Sequence, residues 1–312
     1  MTTKIGSIFG KVADPRTHVE DKRWPIPNCY TGLELEFEKA ELKETVQQRL
    51  NPTFIEFWKD NSLRGNNVEL RFILPLYGAD LTAALDELKR IVAEFYRLNG
   101  YTLALNARTS AHVHLDVRDL TVEQFRRLKM LGILFEKVLF HYCAPEREYN
   151  NFCLPTYRAE GLRDAYNNVL VGSDDLIARG VKGASKYTGM NFLAVQEHGS
   201  IEFRHHQGTL VMEEIAEWIS IIQCLKKAAC AMNFTTINEL GGEVSRTGPS
   251  VVAKNVFGEL WAKLDYPDAD VGMLDGIRFI QDLVLYRTLL PRNTGADELA
   301  ELETVVKAKA NK

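Results

Sequence analysis

Four short segments in which apolar and charged residues alternate constrain the fold more than any other sequence feature. They are GLELEFE (32–38), VELRF (68–72), AHVHLD (111–116) and IEFRHH (201–206). A period of two is typical of β-strands, because successive side chains point to opposite faces of the sheet. We therefore expect an antiparallel sheet with one apolar face against the core and one charged face.

The charged face has an unusual composition. It carries Glu34, Glu36 and Glu38 on the first segment, Glu69 and Arg71 on the second, His112, His114 and Asp116 on the third, and Glu202, Arg204 and His206 on the fourth. A merely solvated face, which is the alternative, usually carries Thr, Lys, Ser and Gln. Clustered carboxylates resist ionisation unless cations neutralise them, so this face predicts a divalent metal site. His205 faces the apolar side, and we expect it to be a core histidine.

The ligand types narrow the chemistry. Glutamates outnumber histidines, and oxygen ligands suit Mg²⁺ or Mn²⁺ better than Zn²⁺. Arginine beside them favours an anion such as phosphate. The sequence contains neither GxxxxGK[ST] nor GxGxxG, so it does not support a P-loop NTPase or a Rossmann oxidoreductase.

Composition excludes several other classes. The 38 Lys+Arg and 42 Asp+Glu give a net charge of −4, which does not indicate a dedicated nucleic-acid binder. Charges interrupt every long apolar stretch, so we expect no membrane span. The five cysteines form no CxxC pair, and the first residues lack a signal-peptide pattern. These features predict reduced thiols and a cytoplasmic protein.

Apolar spacing predicts three scaffold helices, at 80–98, from the N-cap Thr121 through Leu139, and at 212–232. Paired glycines and a Gly-Pro step predict a loop at 237–252. Further helices are expected at about 250–264, 271–289 and 295–309. We expect a catalytic domain at 1–235 and a helical extension at 236–312, packed on the same domain.

The ordered motifs resemble the amidoligase family of carboxylate-amine ligases. The resemblance rests on GLELEFE (32–38), DNSL (60–63) with NNVELR (66–71), SAHVHLD (110–116) and NFLAVQEHGSIEFRHHQGT (191–209). It covers roughly residues 30–212. The family is related in fold to glutamine synthetase and glutamate-cysteine ligase, so the resemblance implies an α+β fold: an antiparallel sheet with helices packed on one face, followed here by the helical extension.

The resemblance also implies an activity, ATP- and Mg²⁺-dependent (or Mn²⁺-dependent) amide-bond formation through an acyl phosphate. Divalent cations must then screen the repulsion between the attacking carboxylate and the triphosphate, which requires converging carboxylate ligands. The implied substrates are a small-molecule or peptide carboxylate and an amine, with ADP as a product.

The resemblance assigns roles to individual residues. The implied metal ligands are Glu34, Glu36, Glu69, His114 and Glu202, and the implied catalytic residues are Arg204, His112 and Arg71. ATP or substrate contacts are implied for Asp60, Ser62, Asn191, Arg147, Gly208 and Thr209. The sequence does not rank His112 against His114 as the ligand. This chain has Asn61 where the family commonly has glycine, so Asp60 and Ser62 are equally expected as turn residues, and Arg147 is equally expected in a surface ion pair.

Three alternatives stay open. An HxH pair also occurs in metal-dependent hydrolases and oxygenases, although these usually use more histidines. An ATP-dependent kinase of guanidino or amino groups, on the same fold, fits the same ligands. A binding protein without catalysis is the third, and the complete set of Glu, His and Arg disfavours it. Sheet edges are compatible with a homo-oligomer, and a phage-encoded protein of this kind would act in the host cytoplasm.

Overall fold

An antiparallel sheet organises the part of the chain that the computed structural model describes, which is residues 3–11, 19–41, 48–100 and 102–289. Its strands are β1 (Thr31–Glu38), β2 (Ile55–Trp58), β3 (Asn67–Phe72), β4 (Ser110–Asp116), β5 (Met190–Asn191) and β6 (Ser200–Gln207). They form an open sheet in the order β2-β3-β1-β4-β6-β5. The four predicted strands are confirmed as β1, β3, β4 and β6. The strands β2 and β5 were not predicted, because four and two residues are too few to establish a period.

Three long helices, Gly78–Leu98, Val122–Cys143 and Met212–Ala231, pack against the sheet. Phe95 of the first helix contacts Phe37 of β1 and Phe57 of β2, with ring centroids 6.4 and 6.0 Å apart. Trp218 of the third helix contacts Phe203 of β6 at 6.4 Å. The apolar alternate residues of the strands therefore form the core with these helices, and the class is mixed helix and antiparallel sheet.

The other helices are shorter or lie later in the chain. They are Ile5–Ile8, Arg163–Val171, Asp174–Lys182, Leu193–His198, Ile237–Thr247, Pro249–Phe257, Trp261–Leu264 and Ala269–Leu289. Short 3₁₀ helices occur at Pro145–Tyr149, Thr156–Arg158, Glu160–Leu162 and Gly258–Leu260. Among the described residues, no helix is long and apolar enough to cross a membrane.

The predicted loop at 237–252 is wrong, because two helices occupy it. Thr236 caps the first helix and forms a reciprocal capping box with Glu239. Buried Leu240 and Val244 then anchor this helix despite its paired glycines. Gly248 has a φ of +90° and ends it, and Pro249 starts the next helix at its first position. Tertiary packing and capping thus outweigh the low helix propensity of glycine.

The rest of the C-terminal prediction is correct in part. The expected helix 250–264 is divided at Gly258, which has a φ of +58°. The expected helix 271–289 is confirmed as Ala269–Leu289, which packs on Val122–Cys143 through an ion pair of 2.8 Å between Lys137 and Asp275. The expected helix 295–309 lies outside the described residues.

A β-bulge in β6 corrects the predicted position of one histidine. Ala111 of β4 pairs with His206, whereas Val113 pairs with Phe203, so β6 has one extra residue here. Directly opposed residues share a face, so His206 lies on the apolar side with Ala111, and its ring is 5.9 Å from that of Trp218. A sequence period cannot reveal a bulge, which is why His206 was expected on the charged face.

The expected core position of His205 is confirmed. Its ring lies 4.7 Å from Phe140 and 5.8 Å from Trp218, measured between centroids. Burial lowers its pKa to about 3, so the imidazole is neutral at physiological pH.

Candidate functional site

The strand register aligns the charged residues into three rows across the sheet. One row contains Glu56, Arg71, Glu34 and His112, on β2, β3, β1 and β4. A second contains Trp58, Glu69 and Glu36, and a third contains Gly32, His114, Glu202 and Asn191. Opposed residues on neighbouring strands have Cβ atoms about 5 Å apart. The charged side chains of five strands, β2, β3, β1, β4 and β6, therefore meet on one face.

A cavity of about 140 Å³ lies over the first two rows. Its lining consists of Glu34, Glu36, Asp60, Ser62, Glu69, Arg108, His112, Phe152, Lys186, Tyr187 and Arg204. The rings of Phe152 and Tyr187 pack edge to face, with centroids 5.9 Å apart. These two rings belong to loops outside the sheet and border the cavity that the charged rows form.

Two groups of side chains have the geometry of metal ligand sets. Glu34, His114 and Glu202 form one group, and Glu36, Asp60 and Glu69 form the other. In each group one ligand atom per residue lies within 4.8 Å of the others. Oxygen-rich sets of this kind fit hard divalent cations such as Mg²⁺ or Mn²⁺.

Glu202, a member of the first ligand group, also contacts Arg204 and His112, which line the cavity. Its carboxylate is paired with Arg204, lies 3.2 Å from His112 Nδ1 and accepts a hydrogen bond of 2.5 Å from Asn191 Nδ2. Burial opposes its ionisation, but the charges of Arg204 and the histidines outweigh burial and lower its pKa. Glu202 is therefore an ionised carboxylate in a buried position.

Glu34 lies between the two histidines of β4. Its carboxylate oxygens are 3.3 Å from His112 Nδ1 and 3.5 Å from His114 Nε2. Burial opposes ionisation here too, yet hydrogen bonds from both histidines hold the pKa of Glu34 well below its usual range. For His114, burial acts against the charged form, but the hydrogen bond to Glu34 raises its pKa.

In the second ligand group, the hydrogen bonds and positive charges near Glu36 and Glu69 do not outweigh the effect of burial on their pKa values. Glu36 accepts hydrogen bonds from the Ser110 backbone N–H (2.8 Å) and hydroxyl (2.6 Å), but burial still raises its pKa. Burial, with repulsion from Glu34, Asp60 and Glu36, raises the pKa of Glu69 to about 8. A carboxylate kept protonated by its acidic neighbours is ready to ionise when a cation arrives.

The turn at 60–62 brings a further carboxylate to the site. Ser62 donates to Asp60 from its backbone N–H and from its hydroxyl, both at 2.7 Å. Burial opposes ionisation of Asp60, but these hydrogen bonds outweigh burial and lower its pKa. Asp60 and Ser62 were expected to touch substrate or to form a plain turn. The structure places both on the cavity wall, with Asp60 in the second ligand group.

Arg204 and His112 also lie at the cavity. Arg204 Nε donates to the Phe152 carbonyl at 3.2 Å, and its Nη1 lies 3.4 Å from His112 Nδ1. His112 is buried, and its Nε2 lies 2.6 Å from the Ser110 hydroxyl. Both side chains are thus fixed in place next to Glu34 and Glu202.

Several residues expected at the site lie elsewhere. Arg147 is buried and donates to the backbone carbonyls of Ala107, Arg204 and His205, so it supports the end of β6 and is not part of the lining of the 140 Å³ cavity. Gly208 and Thr209 lead into the helix Met212–Ala231, where Thr209 donates to Glu214 at 2.7 Å. Asn191 approaches the site only through Glu202.

Arg71 lies at a neighbouring cavity of about 250 Å³ that shares Glu34 with the first. Its Nε is 2.6 Å from Glu56, and its guanidinium stacks on Trp58, 3.8 Å from the ring centroid. Other residues that line this cavity include Tyr30, Gly32, Ile73, His114, Asp116 and Arg118. The catalytic role expected of Arg71 therefore has no support from its position.

Sequence reasoning missed four residues that line the first cavity, Arg108, Phe152, Lys186 and Tyr187. They lie on loops without periodicity. For Arg108 and the pair Lys186 and Tyr187, a position just before a strand was the one available signal. No family model and no curated protein matches the chain.

Proposed function

We propose that the chain is an ATP- and Mg²⁺-dependent carboxylate-amine ligase. The observation that carries the proposal is the convergence of four carboxylates (Glu34, Glu36, Asp60 and Glu69) with His112 and Arg204 on the 140 Å³ cavity. Glu202 and His114 lie beside it and form a ligand group with Glu34. The order of the motifs, with its resemblance to amidoligases, adds independent support.

The two ligand groups account for the cofactor. Glu34, His114 and Glu202 would hold one divalent cation, and Glu36, Asp60 and Glu69 a second. Bound there, divalent cations neutralise the charge of a triphosphate beside an attacking carboxylate. His114, which has the ligand geometry with Glu34 and Glu202, is then a ligand. His112 is as close to both carboxylates but also lies 3.4 Å from Arg204 Nη1, so it is assigned to the cationic side chains.

The cationic side chains account for the transfer step. Arg204, held by Glu202 and the Phe152 carbonyl, donates to the phosphoryl group that is transferred. An oxygen of the substrate acid bonds to the γ-phosphorus while the bond to the bridging oxygen breaks, which releases ADP. The amine then bonds to the acyl carbon, loses a proton, and displaces inorganic phosphate.

A product assay tests this function. The full chain with ATP, Mg²⁺ and a panel of acids and amines should release ADP and phosphate and form an amide when the matching pair is present. Release of AMP contradicts an acyl phosphate. A phosphorylated acceptor without amide indicates the kinase, and cleavage of a panel compound without ATP indicates the hydrolase.

A further inference from the structure

We propose that the 250 Å³ cavity beside Glu34 binds the amine substrate, and that this substrate is a small zwitterion whose amine and carboxylate are attached to one carbon, as in an α-amino acid. The inference rests on the proposed function. It assigns a ligand class to the second cavity, in which Arg71 has no part in the transfer step and Glu34 also belongs to the first ligand group.

Alternating charge along one row of the sheet carries the argument. Glu56, Arg71 and Glu34 are successive cross-strand neighbours, so an acid, a base and an acid follow one another with Cβ atoms about 5 Å apart. Arg71 is paired with Glu56, and Glu34 with the histidines of β4, so Arg71 and Glu34 are neighbours that do not pair with each other. A ligand between them meets a cation on one side and a carboxylate on the other. A ligand with an ammonium and a carboxylate on one carbon, such as an α-amino acid, carries the two opposite charges that these neighbours require.

Arg71 is held ready for such a carboxylate. Stacking on Trp58 fixes the plane of its guanidinium, and Glu56 contacts Nε. A planar guanidinium presents parallel N–H groups that match the two oxygens of a carboxylate. Little side-chain entropy is then lost when the ligand binds.

The size of the cavity limits the ligand. A volume of about 250 Å³ lies below the roughly 300–1,000 Å³ of pockets for drug-sized molecules. Gly32 helps to keep the floor open, because a Cβ there would lie 3.2 Å from the His114 Cβ. Tyr30 and Ile73 add apolar surface for a side chain. Because Glu34 borders both cavities, an amine bound beside it lies next to the place where the acyl group forms.

Ligand-observed NMR by saturation transfer tests the assignment. The probes are L-alanine, putrescine and propionate, each with the full chain, Mg²⁺ and ADP. We expect a saturable signal from L-alanine. Putrescine, which carries only amines, and propionate, which carries only a carboxylate, should bind at least tenfold more weakly. Equal binding of putrescine, or no binding of L-alanine, overturns the proposal.

Two variants separate recognition from a structural role. Arg71→Gln should weaken L-alanine binding at least tenfold, whereas Glu56→Gln should preserve or tighten it, because it frees the guanidinium. Arg246→Gln, which also breaks an arginine–glutamate pair, but at the exposed surface and away from both cavities, is the matched control. A loss of L-alanine binding in both Arg71→Gln and Glu56→Gln, or in neither, contradicts recognition by Arg71.

The same samples distinguish the two proposals. Mg²⁺-dependent ADP binding should be unchanged in Arg71→Gln, because Arg71 does not line the first cavity. If wild-type chain binds no nucleotide, the proposed function fails, whatever L-alanine does. If nucleotide binds but Arg71→Gln and Glu56→Gln do not differ in L-alanine binding, only the proposal for the amine substrate fails.

Discussion

At the residue scale, the immediate neighbours of each carboxylate decide its charge. Glu34 and Glu202 are ionised because histidines and Arg204 contact them, against the effect of burial. Glu36 and Glu69 lie on the same sheet face but have raised pKa values, because burial and acidic neighbours dominate. One face therefore contains both ionised carboxylates and one, Glu69, that holds a proton at neutral pH until a cation binds.

The raised pKa of Glu69 predicts how stability depends on pH without metal. Between the unfolded value near 4.5 and the folded value of about 8, the folded protein binds more protons than the unfolded chain. The free energy of unfolding should therefore fall as pH rises from 5 to 8, by at most about 1.4 kcal/mol per pH unit from this group. Urea denaturation in EDTA at several pH values measures the slope.

Glu69→Gln provides the comparison, because glutamine is close in shape to the protonated acid. The variant should have a shallower slope and exceed the wild type in stability at pH 8. Glu34, Asp60 and Glu202 have lowered pKa values, so their contributions are lost only as pH falls through acid values below this window. An identical slope in the variant means that Glu69 is not the titrating group.

Removal of the Glu202 charge should weaken metal-dependent nucleotide binding. Glu202→Gln keeps the shape but removes one ligand oxygen charge and the partner of Arg204. We expect at least a tenfold weaker affinity for ADP with Mg²⁺ and an unchanged circular dichroism spectrum. Calorimetric titration measures the affinity, and exposed Glu259→Gln is the control. Wild-type affinity in Glu202→Gln would remove this residue from the site.

At the element scale, local signals decide where elements begin, and packing decides whether they persist. The Thr121 capping box was readable from the sequence and is present, with Gln124 as the reciprocal partner. The equivalent box at Thr236 begins the helix in the segment expected to be a loop. The paired glycines of this segment argued against a helix and obscured the capping box in the sequence. The contacts that stabilise the helix involve residues distant in the chain.

Thr236→Ala tests the importance of this cap. The substitution removes the acceptor for the Glu239 backbone N–H, so we expect a loss of about 1 kcal/mol in the free energy of unfolding. Chemical denaturation measures it. Thr247→Ala, at the other end of the same helix, should cost less than about 0.5 kcal/mol, because Thr247 bonds only a carbonyl of its own helix. Equal losses would argue against a specific capping role.

At the scale of the whole molecule, repulsion among the carboxylates lowers the stability of the metal-free fold. A divalent cation that binds only the folded chain stabilises it, by about 2.7 kcal/mol at one hundred times its dissociation constant. We therefore expect Mg²⁺ and Mn²⁺ to raise the unfolding temperature, and EDTA to reverse the effect.

Scanning calorimetry at constant ionic strength checks this expectation. The double variant Glu36→Gln/Glu202→Gln, with one ligand removed from each group, should show no response to either cation. A similar rise with NaCl at matched ionic strength would indicate simple screening, which long-range repulsion alone explains.

Much of the site was readable because alternation is a local property. Glu34, Glu36, Glu69, His114 and Glu202 were all placed on one face from the spacing of residues within their own strands. His206 was misplaced because the bulge depends on pairing with β4. Arg147 was misjudged because its three acceptors are carbonyls distant in the chain.

The sequence by itself determined the four main strands, the three long helices and the set of acidic and basic side chains on one face, since period and capping are encoded locally. Tertiary structure alone decided which of those side chains meet. Register placed Glu36 opposite Glu69, and the turn at 60–62 added Asp60 to them. Arg71 lies at a second cavity, and the packing of loops positioned Phe152 and Tyr187 beside the first. These arrangements depend on contacts between residues far apart in the chain, so no local pattern specifies them.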